Sequence, residues 1–256
     1  MTVHAVIFDL FETIVRVDWS SLPTLIIKDR PRPSTAPHIF PILATYFPEL
    51  TEVDLHDALF RSWTSVQDGI QDNREVSSFE RFQVLLRQIE EQHGSSGAAL
   101  DAAESLSLAH RLADQHHEHV RQCVACPPAE RRLLDLATRK HPIGLLSNFD
   151  HGPSARALLE QLGLTERFVS IRISDEEGWR KPHAPLFEQI AADLGTLPEH
   201  CLFIGDDPHA DIDGAAAIGM QTAWIRRRAQ PRPMATPAWE APDAGTLADL
   251  LEPVLG

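Results

Sequence analysis

Side chains able to carry out covalent chemistry follow directly on apolar stretches of this chain. Three such junctions are Val3–Phe8 before Asp9, Pro142–Leu146 before Ser147-Asn148, and Cys201–Ile204 before Gly205-Asp206-Asp207, and Lys181 lies in a loop after a fourth apolar stretch. An aspartate can act as a covalent nucleophile. Carboxylates that gather must be neutralised, because like charges a few ångströms apart raise each other's pKa. A divalent cation such as Mg²⁺, a lysine ammonium, or both could do this.

The elements that must position these groups are strands alternating with helices. After Val3–Phe8, the pattern predicts strands over 142–146, 169–173, 201–204 and 221–225, with helices over 129–139, 154–162, 182–194 and from Pro208 to Gly219. The segment 226–242 is predicted to be extended, and 247–251 a short helix. Such alternation predicts crossover connections and a mainly parallel sheet. Ligands bind such sheets beyond the carboxyl ends of the strands, so the junctions above are expected to share one edge.

Residues 17–120 lack this alternation and are predicted to form an inserted helical domain. Residues 22–41 hold five prolines and are predicted to be an irregular loop. Amphipathic patterns predict helices over 55–66, 79–89 and 106–120, with a break at Gly94-Ser95-Ser96-Gly97. The expected fold class is therefore α/β, a Rossmann-like, mainly parallel core over 1–16 and 121–256 with a helical cap at 17–120 after the first strand.

The shared edge would combine acidic oxygens, one ammonium and neutral donors. Oxygen ligands suit a hard cation such as Mg²⁺, and they would come from four aspartates: Asp9, Asp206, Asp207 and Asp211. Lys181 would supply a second positive charge, while Ser147 and Asn148 would donate hydrogen bonds to a bound oxyanion. Asp206 and Asp207 also lie where a helix is predicted to start, a position that favours negative charge.

Four motifs in this order resemble those of the haloacid dehalogenase-like hydrolase superfamily. They are Asp9-Leu10-Phe11-Glu12-Thr13, Leu146-Ser147-Asn148, Lys181-Pro182 within residues 178–187, and Gly205-Asp206-Asp207-Pro208-His209-Ala210-Asp211 followed by Gly214-Ala215. The order and spacing agree over roughly residues 1–225, and the insertion corresponds to that family's helical cap. Four ordered motifs at strand ends or helix starts are far more specific than any one of them.

The resemblance implies a role for each motif residue. Asp9 would attack the substrate and form a covalent ester, with Lys181 orienting it and stabilising charge. Thr13 and Ser147 would position the transferred group. Mg²⁺ would be held by Asp9, Asp206 and the backbone carbonyl of Phe11, with Asp207 and Asp211 in support.

Phe11 departs from the pattern of the family's phosphatases. These carry a second aspartate at that position, which protonates the leaving oxygen, and a phenyl ring cannot do so. Three functions stay open: a Mg²⁺-dependent phosphatase of a small phosphorylated metabolite, a metal-independent 2-haloacid dehalogenase using Asp9, and a binding protein with little or no turnover. The family's dehalogenases have an aromatic residue at the position of Phe11 but lack the Gly-Asp-Asp motif. This motif makes the phosphatase the favoured expectation.

Composition narrows the range of partners and compartments. The formal net charge is −14 over 256 residues, which argues against nucleic acid or an anionic membrane as a main partner. No segment reaches the apolar length of a membrane span, and the N-terminus shows no basic leader. Three cysteines form no disulfide framework. The expectation is a cytoplasmic monomer or homodimer with a small-molecule substrate.

Overall fold

The computed structural model describes residues 2–69, 72–94, 100–227 and 229–256 of the chain. The chain divides into two compact units. The core unit comprises Met1–Val17, Asn73–Glu75 and Ala125–Gly256, and the insertion unit comprises Asp18–Asp72 and Val76–Val124. A short piece of chain from the middle of the long insertion thus belongs to the core unit.

The strands and helices follow one another in the order that the sequence patterns suggest, with additions. The strands are β1 Ala5–Phe8, β2 Arg16–Val17, β3 Thr24–Ile27, β4 Arg30–Pro33, β5 Val124–Ala125, β6 Ile143–Ser147, β7 Ser170–Ile173, β8 Cys201–Gly205, β9 Gln221–Ile225 and β10 Trp239–Ala241. The helices are α1 Ala36–Leu43, α2 Glu52–Gly69, α3 Ser78–His93, α4 Ala102–Gln122, α5 Pro128–Thr138, α6 Gly152–Gln161, α7 Ser174–Glu177, α8 Ala184–Asp193, α9 Gly214–Ala217 and α10 Ala244–Leu255.

The core unit is built on a six-stranded sheet in the order β10-β9-β8-β1-β6-β7. Every pairing within it is parallel, and Val6 of β1 lies between Ile143 of β6 and Leu202 of β8. All four residues of β1 are buried, as expected for a central strand covered on both faces. The predicted Rossmann-like, parallel α/β fold is confirmed.

The strand order fixes where a ligand would bind. The chain adds β6 and β7 on one side of β1 and then crosses to the other side to add β8, β9 and β10. Such a reversal opens a crevice at the carboxyl ends of the strands beside it, here β1 and its neighbours. Asp9, Ser147 and Asp206 lie at those three ends.

Apolar packing holds α8 against this sheet. Leu186, Phe187 and Ile190 of α8 are buried in one cluster with Ile7 of β1 and Phe203 of β8. Large side chains of this kind each contribute about 1.5–3 kcal/mol when fully buried. The strands β1 and β8, whose ends carry polar residues, are therefore held in place by their packing against α8.

The insertion unit contains the three predicted helices, each somewhat longer than its pattern indicated. Both α3 and α4 begin with a capping box, formed by Ser77 with Glu80 and by Asp101 with Glu104. Phe82 of α3 lies in the unit's own buried core, which also includes residues of α1, α2 and α4. Of the predicted break at 94–97, Gly94 ends α3 with a positive φ of 63°, and residues 95–97 lie outside the described residues.

The prediction of an irregular loop over 22–41 is wrong. This segment contains the antiparallel hairpin β3–β4 and the helix α1. The two-residue turn at Lys28 and Asp29 has positive φ at both positions, as hairpin turns require. Pro31 and Pro33 pair with Ile26 and Thr24, alternate pairs in which the strand N–H is not needed for the ladder. Prolines two residues apart are thus compatible with a strand.

The C-terminal region also differs from its prediction. The strand β9 was expected to be the last, but β10 lies within 226–242 and extends the sheet by pairing with β9. The final helix α10 covers twelve residues rather than the predicted five at 247–251, starting at an Asp243 cap whose side chain accepts from Thr246 N. None of the helices among the described residues combines the length and apolar content that a transmembrane segment needs.

Candidate active site

A cleft of about 260 Å³ opens in the core unit at the carboxyl edge of its sheet. Its described lining comes from five separate stretches of chain: Asp9, Phe11, Glu12, Asn148, Arg180, Lys181, Asp206, Asp207, Ala210, Asp211 and Gln230. The structure thus brings together seven of the nine residues predicted for the site. The other two, Thr13 and Ser147, are buried in the same neighbouring stretches.

Asp9 and Lys181 form a buried ion pair. Asp9 continues β1 by one residue, since its N–H donates to the Ile204 carbonyl of β8 at 2.9 Å. Lys181 Nζ lies 2.7 Å from Asp9 Oδ1 and donates a hydrogen bond to it. The side chains are 10% and 1% exposed, so water screens this contact little. Lys181 therefore fixes the position of one carboxylate oxygen of Asp9.

Two further aspartates approach Asp9. Lys181 Nζ also lies 2.7 Å from Asp211 Oδ1. Asp9, Asp206 and Asp211 each offer a carboxylate oxygen, and these three oxygens lie within 4.8 Å of one another. Three ionised carboxylates and one ammonium leave a formal charge of −2 in a small, partly buried space. A divalent cation with oxygen ligands would balance that charge.

Burial and neighbouring charges shift the pKa values of Lys181 and Asp211. Burial by itself lowers the pKa of Lys181, but the charges of Asp211 and Asp9 outweigh it, and the pKa ends above its ordinary value. Burial raises the pKa of Asp211, and the nearby charge of Asp9 adds to this effect while Lys181 opposes it. The ammonium of Lys181 therefore does not fully offset the effect of burial on the Asp211 carboxylate.

Asn148 holds the backbone of Lys181 in place. Its side-chain Nδ2 donates to the Lys181 carbonyl at 3.0 Å, and the Lys181 N–H donates to Asn148 Oδ1 at 2.7 Å. This reciprocal pair joins the end of β6 to the loop before α8. The sequence predicted Asn148 as a donor to an oxyanion, but its amide is directed at Lys181, so we expect it to act by positioning that residue.

Asp207 caps the helical turn that follows the cluster. Its Oδ1 accepts from the N–H groups of His209 and Ala210 at 2.9 and 2.7 Å. Its own N–H donates to Asp211 Oδ2 at 2.9 Å. Asp207 thus caps this turn, and its carboxylate is not one of the three, from Asp9, Asp206 and Asp211, that lie close together.

Gly205 leaves the space that Asp211 occupies. A Cβ added at Gly205 would lie 2.2 Å from Asp211 Oδ2, far inside van der Waals contact. We expect Gly205→Ala to destabilise the protein by about 1–3 kcal/mol through overpacking and to displace the Asp211 carboxylate. Thermal unfolding measures the first effect. Gly245→Ala is the control, because its Cβ would meet nothing closer than 3.3 Å, and equal melting temperatures for the two variants would contradict the prediction.

The hydroxyls of Thr13 and Ser147 are buried without a hydrogen-bond partner among the described residues. The two residues are 0% and 1% exposed. A buried hydroxyl left without a partner costs about 1–3 kcal/mol, so such groups usually have one. Thr13 follows the cleft residue Glu12, and Ser147 precedes the cleft residue Asn148. Bound anionic oxygens would satisfy them, in line with the predicted role of positioning a transferred group.

Phe11 packs as an aromatic residue beside the cluster. Its ring stacks on that of Phe149 with centroids 4.6 Å apart. The neighbouring Glu12 pairs with Arg16, whose Nε lies 3.1 Å from Glu12 Oε2. The position that would carry a proton donor is thus filled by a ring in an apolar contact, and the adjacent carboxylate is engaged elsewhere.

Sequence reasoning missed Arg180 as part of the site. Arg180 lines the cleft next to Lys181, and its guanidinium approaches the buried carboxylate of Glu75. The position of Arg180 beside the Lys181-Pro182 motif was a usable signal. Nothing in the sequence placed Glu75 in the core unit, because it lies in the middle of the insertion.

Sequence comparison finds curated relatives that are named as phosphatases. The chain spans about half the length of the curated relatives it matches. It is 31% identical over 100 residues to a glyceraldehyde 3-phosphate phosphatase of Pyrococcus furiosus, covering 39% of this chain and 41% of that protein. It is 32% identical over 138 residues to a phosphoserine phosphatase of Thermus thermophilus, covering 54% and 55%.

Solved structures share the fold over nearly the full length. A 2-haloacid dehalogenase of Pseudomonas syringae superposes with a TM-score of 0.68 at 18% identity, with 98% of each chain covered. The model of the haloacid dehalogenase-like hydrolases matches residues 3–219, which include all four motifs. With its parallel sheet, its four motifs and this match over most of its length, the chain belongs to the haloacid dehalogenase-like hydrolase family.

Proposed function

We propose that this protein is a Mg²⁺-dependent phosphatase that hydrolyses a small phosphorylated metabolite through an aspartyl-phosphate on Asp9. The observation that supports it best is the gathering of three carboxylates, from Asp9, Asp206 and Asp211, of which only Asp9 and Asp211 are paired with the ammonium of Lys181 among the described residues. Haloacid hydrolysis through an ester on Asp9 would need no cation. This excess of negative charge is therefore better suited to a cation-dependent reaction.

The residues present fit Mg²⁺. Hard cations prefer oxygen ligands and are commonly held by one or two carboxylates together with substrate phosphate. We propose that Asp9, Asp206 and the backbone carbonyl of Phe11 hold the ion, with Asp211 and Asp207 in support. When bound, Mg²⁺ would neutralise charge on the phosphoryl oxygens.

The chain's own residues account for the covalent steps. Asp9 attacks phosphorus, the bond from phosphorus to the ester oxygen breaks, and the released alkoxide takes a proton from solvent. Water then attacks the aspartyl-phosphate, the bond between phosphorus and the Asp9 oxygen breaks, and phosphate leaves with the Asp9 carboxylate regenerated. Lys181 holds Asp9 Oδ1 throughout, while Thr13 and Ser147 donate to the phosphoryl oxygens. Among the described residues, Asp9 Oδ2 accepts no hydrogen bond and is available for the attack.

The names of the relatives support phosphoryl transfer. The matched proteins of Pyrococcus furiosus and Thermus thermophilus are named as phosphatases of small phosphate esters. Each of these proteins matches only part of this chain. A cleft of about 260 Å³ is at or below the size of pockets that enclose drug-sized ligands, which favours a small substrate.

The packing of Phe11 keeps the dehalogenase as a second candidate. Halide departs without a proton, so dehalogenation needs no general acid. A phenylalanine at position 11, stacked on Phe149, would therefore not slow that reaction. The two candidates differ in their need for a cation, and one assay separates them.

We expect EDTA to lower phosphate release by at least about 100-fold, because the cation would contribute several kcal/mol of charge stabilisation. Added Mg²⁺ should restore the rate. Phosphate and halide release are measured over panels of phosphate esters and 2-haloacids, with and without EDTA. Halide release that persists in EDTA would overturn the phosphatase in favour of the dehalogenase. Inactivity on both panels would favour a binding protein that has lost turnover.

A further inference from the structure

Arg180 presents unused hydrogen-bond donors in the cleft. A guanidinium carries five N–H donors in a planar fork. The side chain of Arg180 is 23% exposed and makes no hydrogen bond to any of the described residues. Its nearest charged partner, Glu75 Oε1, lies 3.7 Å from Nη1, beyond hydrogen-bonding distance. A half-buried guanidinium with free donors is a site for an anion.

The backbone around Arg180 is held rigidly. The Arg180 N–H donates to the Asn73 carbonyl at 2.8 Å, and the Glu75 N–H donates to the Gly178 carbonyl at 3.0 Å. The Ser174 hydroxyl donates to the carboxylate of Glu75, which is buried. The segment 73–75 and the loop before Lys181 thus fix each other, and Glu75 sets one side of the guanidinium by charge. The remaining donors are positioned before any ligand arrives.

Arg180 and Lys181 carry the positive charge among the described residues that line this cleft. The Lys181 ammonium already pairs with both Asp9 and Asp211, so its charge is used beside the proposed nucleophile. Among the described residues, Arg180 forms no ion pair with Asp9 or Asp211, and it can therefore bind an anionic group of the substrate other than the phosphate. The guanidinium fork matches a carboxylate through two parallel hydrogen bonds, a geometry that lysine cannot offer.

We propose that Arg180 determines specificity by binding a carboxylate on the substrate, so that the substrate class is small phosphate monoesters bearing a carboxylate a few bonds from the phosphate. This inference rests on the proposed phosphatase function. A cleft of about 260 Å³ favours a small ligand, with its two anionic groups close together. Arg180 would act on binding and orientation, and the covalent steps would still belong to Asp9.

Two phosphonates that cannot be hydrolysed test the proposal without turnover. The probes are 3-phosphonopropionate, which carries a carboxylate, and propylphosphonate, which has a methyl group in its place. Isothermal titration calorimetry in Mg²⁺ measures the Kd of each. We expect the intact protein to bind the carboxylate probe about 10- to 100-fold more tightly, as expected for hydrogen bonds between charged groups. Arg180→Gln should abolish this preference and leave the Kd of propylphosphonate within about 3-fold.

Two variants control for charge and geometry. Arg180→Lys keeps the charge but not the fork, and should retain only part of the preference. Arg172→Gln removes an arginine of similar exposure, 21%, that is paired with Asp193 and Glu177 outside the cleft, and should retain all of it. The proposal is overturned if the intact protein shows no preference or binds neither probe, or if Arg180→Gln weakens both probes equally. A retained preference without phosphate release from any ester would reject the phosphatase function alone.

Discussion

Replacing Asp9 with asparagine is expected to reduce phosphate release by more than about 10⁴-fold, in line with the losses measured when other enzymes lose their nucleophile. An amide is a poor nucleophile and cannot regenerate a carboxylate after hydrolysis. Its carbonyl can still accept from Lys181 Nζ, which lies 2.7 Å from Asp9 Oδ1 in the native protein. The fold should therefore persist, and the loss should report on chemistry.

The covalent intermediate provides a readout that is independent of the rate. Protein quenched in acid during turnover of a ³²P-labelled ester should carry a label that hydroxylamine removes, as expected of an acyl phosphate. Asp9→Asn should carry none. Asp213→Asn is the matched control, since the Asp213 side chain is 13% exposed, against 10% for Asp9, and its Oδ1 accepts from the Ala235 backbone N–H. Substantial turnover in Asp9→Asn would show that another group attacks phosphorus.

The grouping of polar side chains at the carboxyl edge of the sheet could be predicted, because the strand topology alone brings them together. Asp9, Lys181 and Asp211 are separated by up to 202 residues, yet parallel strands end at one edge, and the side chains that follow them must meet there. The periodicity of the apolar runs was enough to place β1, β6, β8 and β9. The positions of these strand ends do not depend on side-chain conformations.

Contacts between distant segments could not be predicted in the same way. The pairing of Glu75 with Arg180 depends on the segment Asn73–Glu75, which belongs to the core unit although it lies within the insertion. This segment has no apolar pattern or spacing that would predict its position. The hairpin β3–β4 was hidden because prolines are usually taken to exclude strands. Only the register, which places Pro31 and Pro33 in the pairs that need no N–H, explains them. Asn148 likewise has a partner, the Lys181 backbone, that its sequence position does not indicate.

A carboxyl group at position 11 is expected to increase the rate of phosphate ester hydrolysis. We expect Phe11→Asp to raise the rate for alkyl phosphate esters by about 10²–10⁴-fold, the usual contribution of a general acid. Phe11 lines the cleft and follows Asp9 by two residues, so a carboxyl there would face the departing oxygen. Esters of p-nitrophenol should gain little, because their leaving group needs no proton. Steady-state rates over a series of leaving groups measure the difference.

A general acid also imposes a dependence on pH. Because the acid must be protonated to act, the rate gained by Phe11→Asp should disappear as the pH rises above the pKa of the new carboxyl group. Phe11→Asn has nearly the same shape without a proton to give, and should lack both the gain and this pH limb. Both variants lose the stacking of Phe11 on Phe149, worth about 0.5–1.5 kcal/mol, so equal melting temperatures separate chemistry from stability. An unchanged rate in Phe11→Asp would mean that the native enzyme already obtains the proton from another group, and that its phenylalanine is no obstacle to phosphoryl transfer.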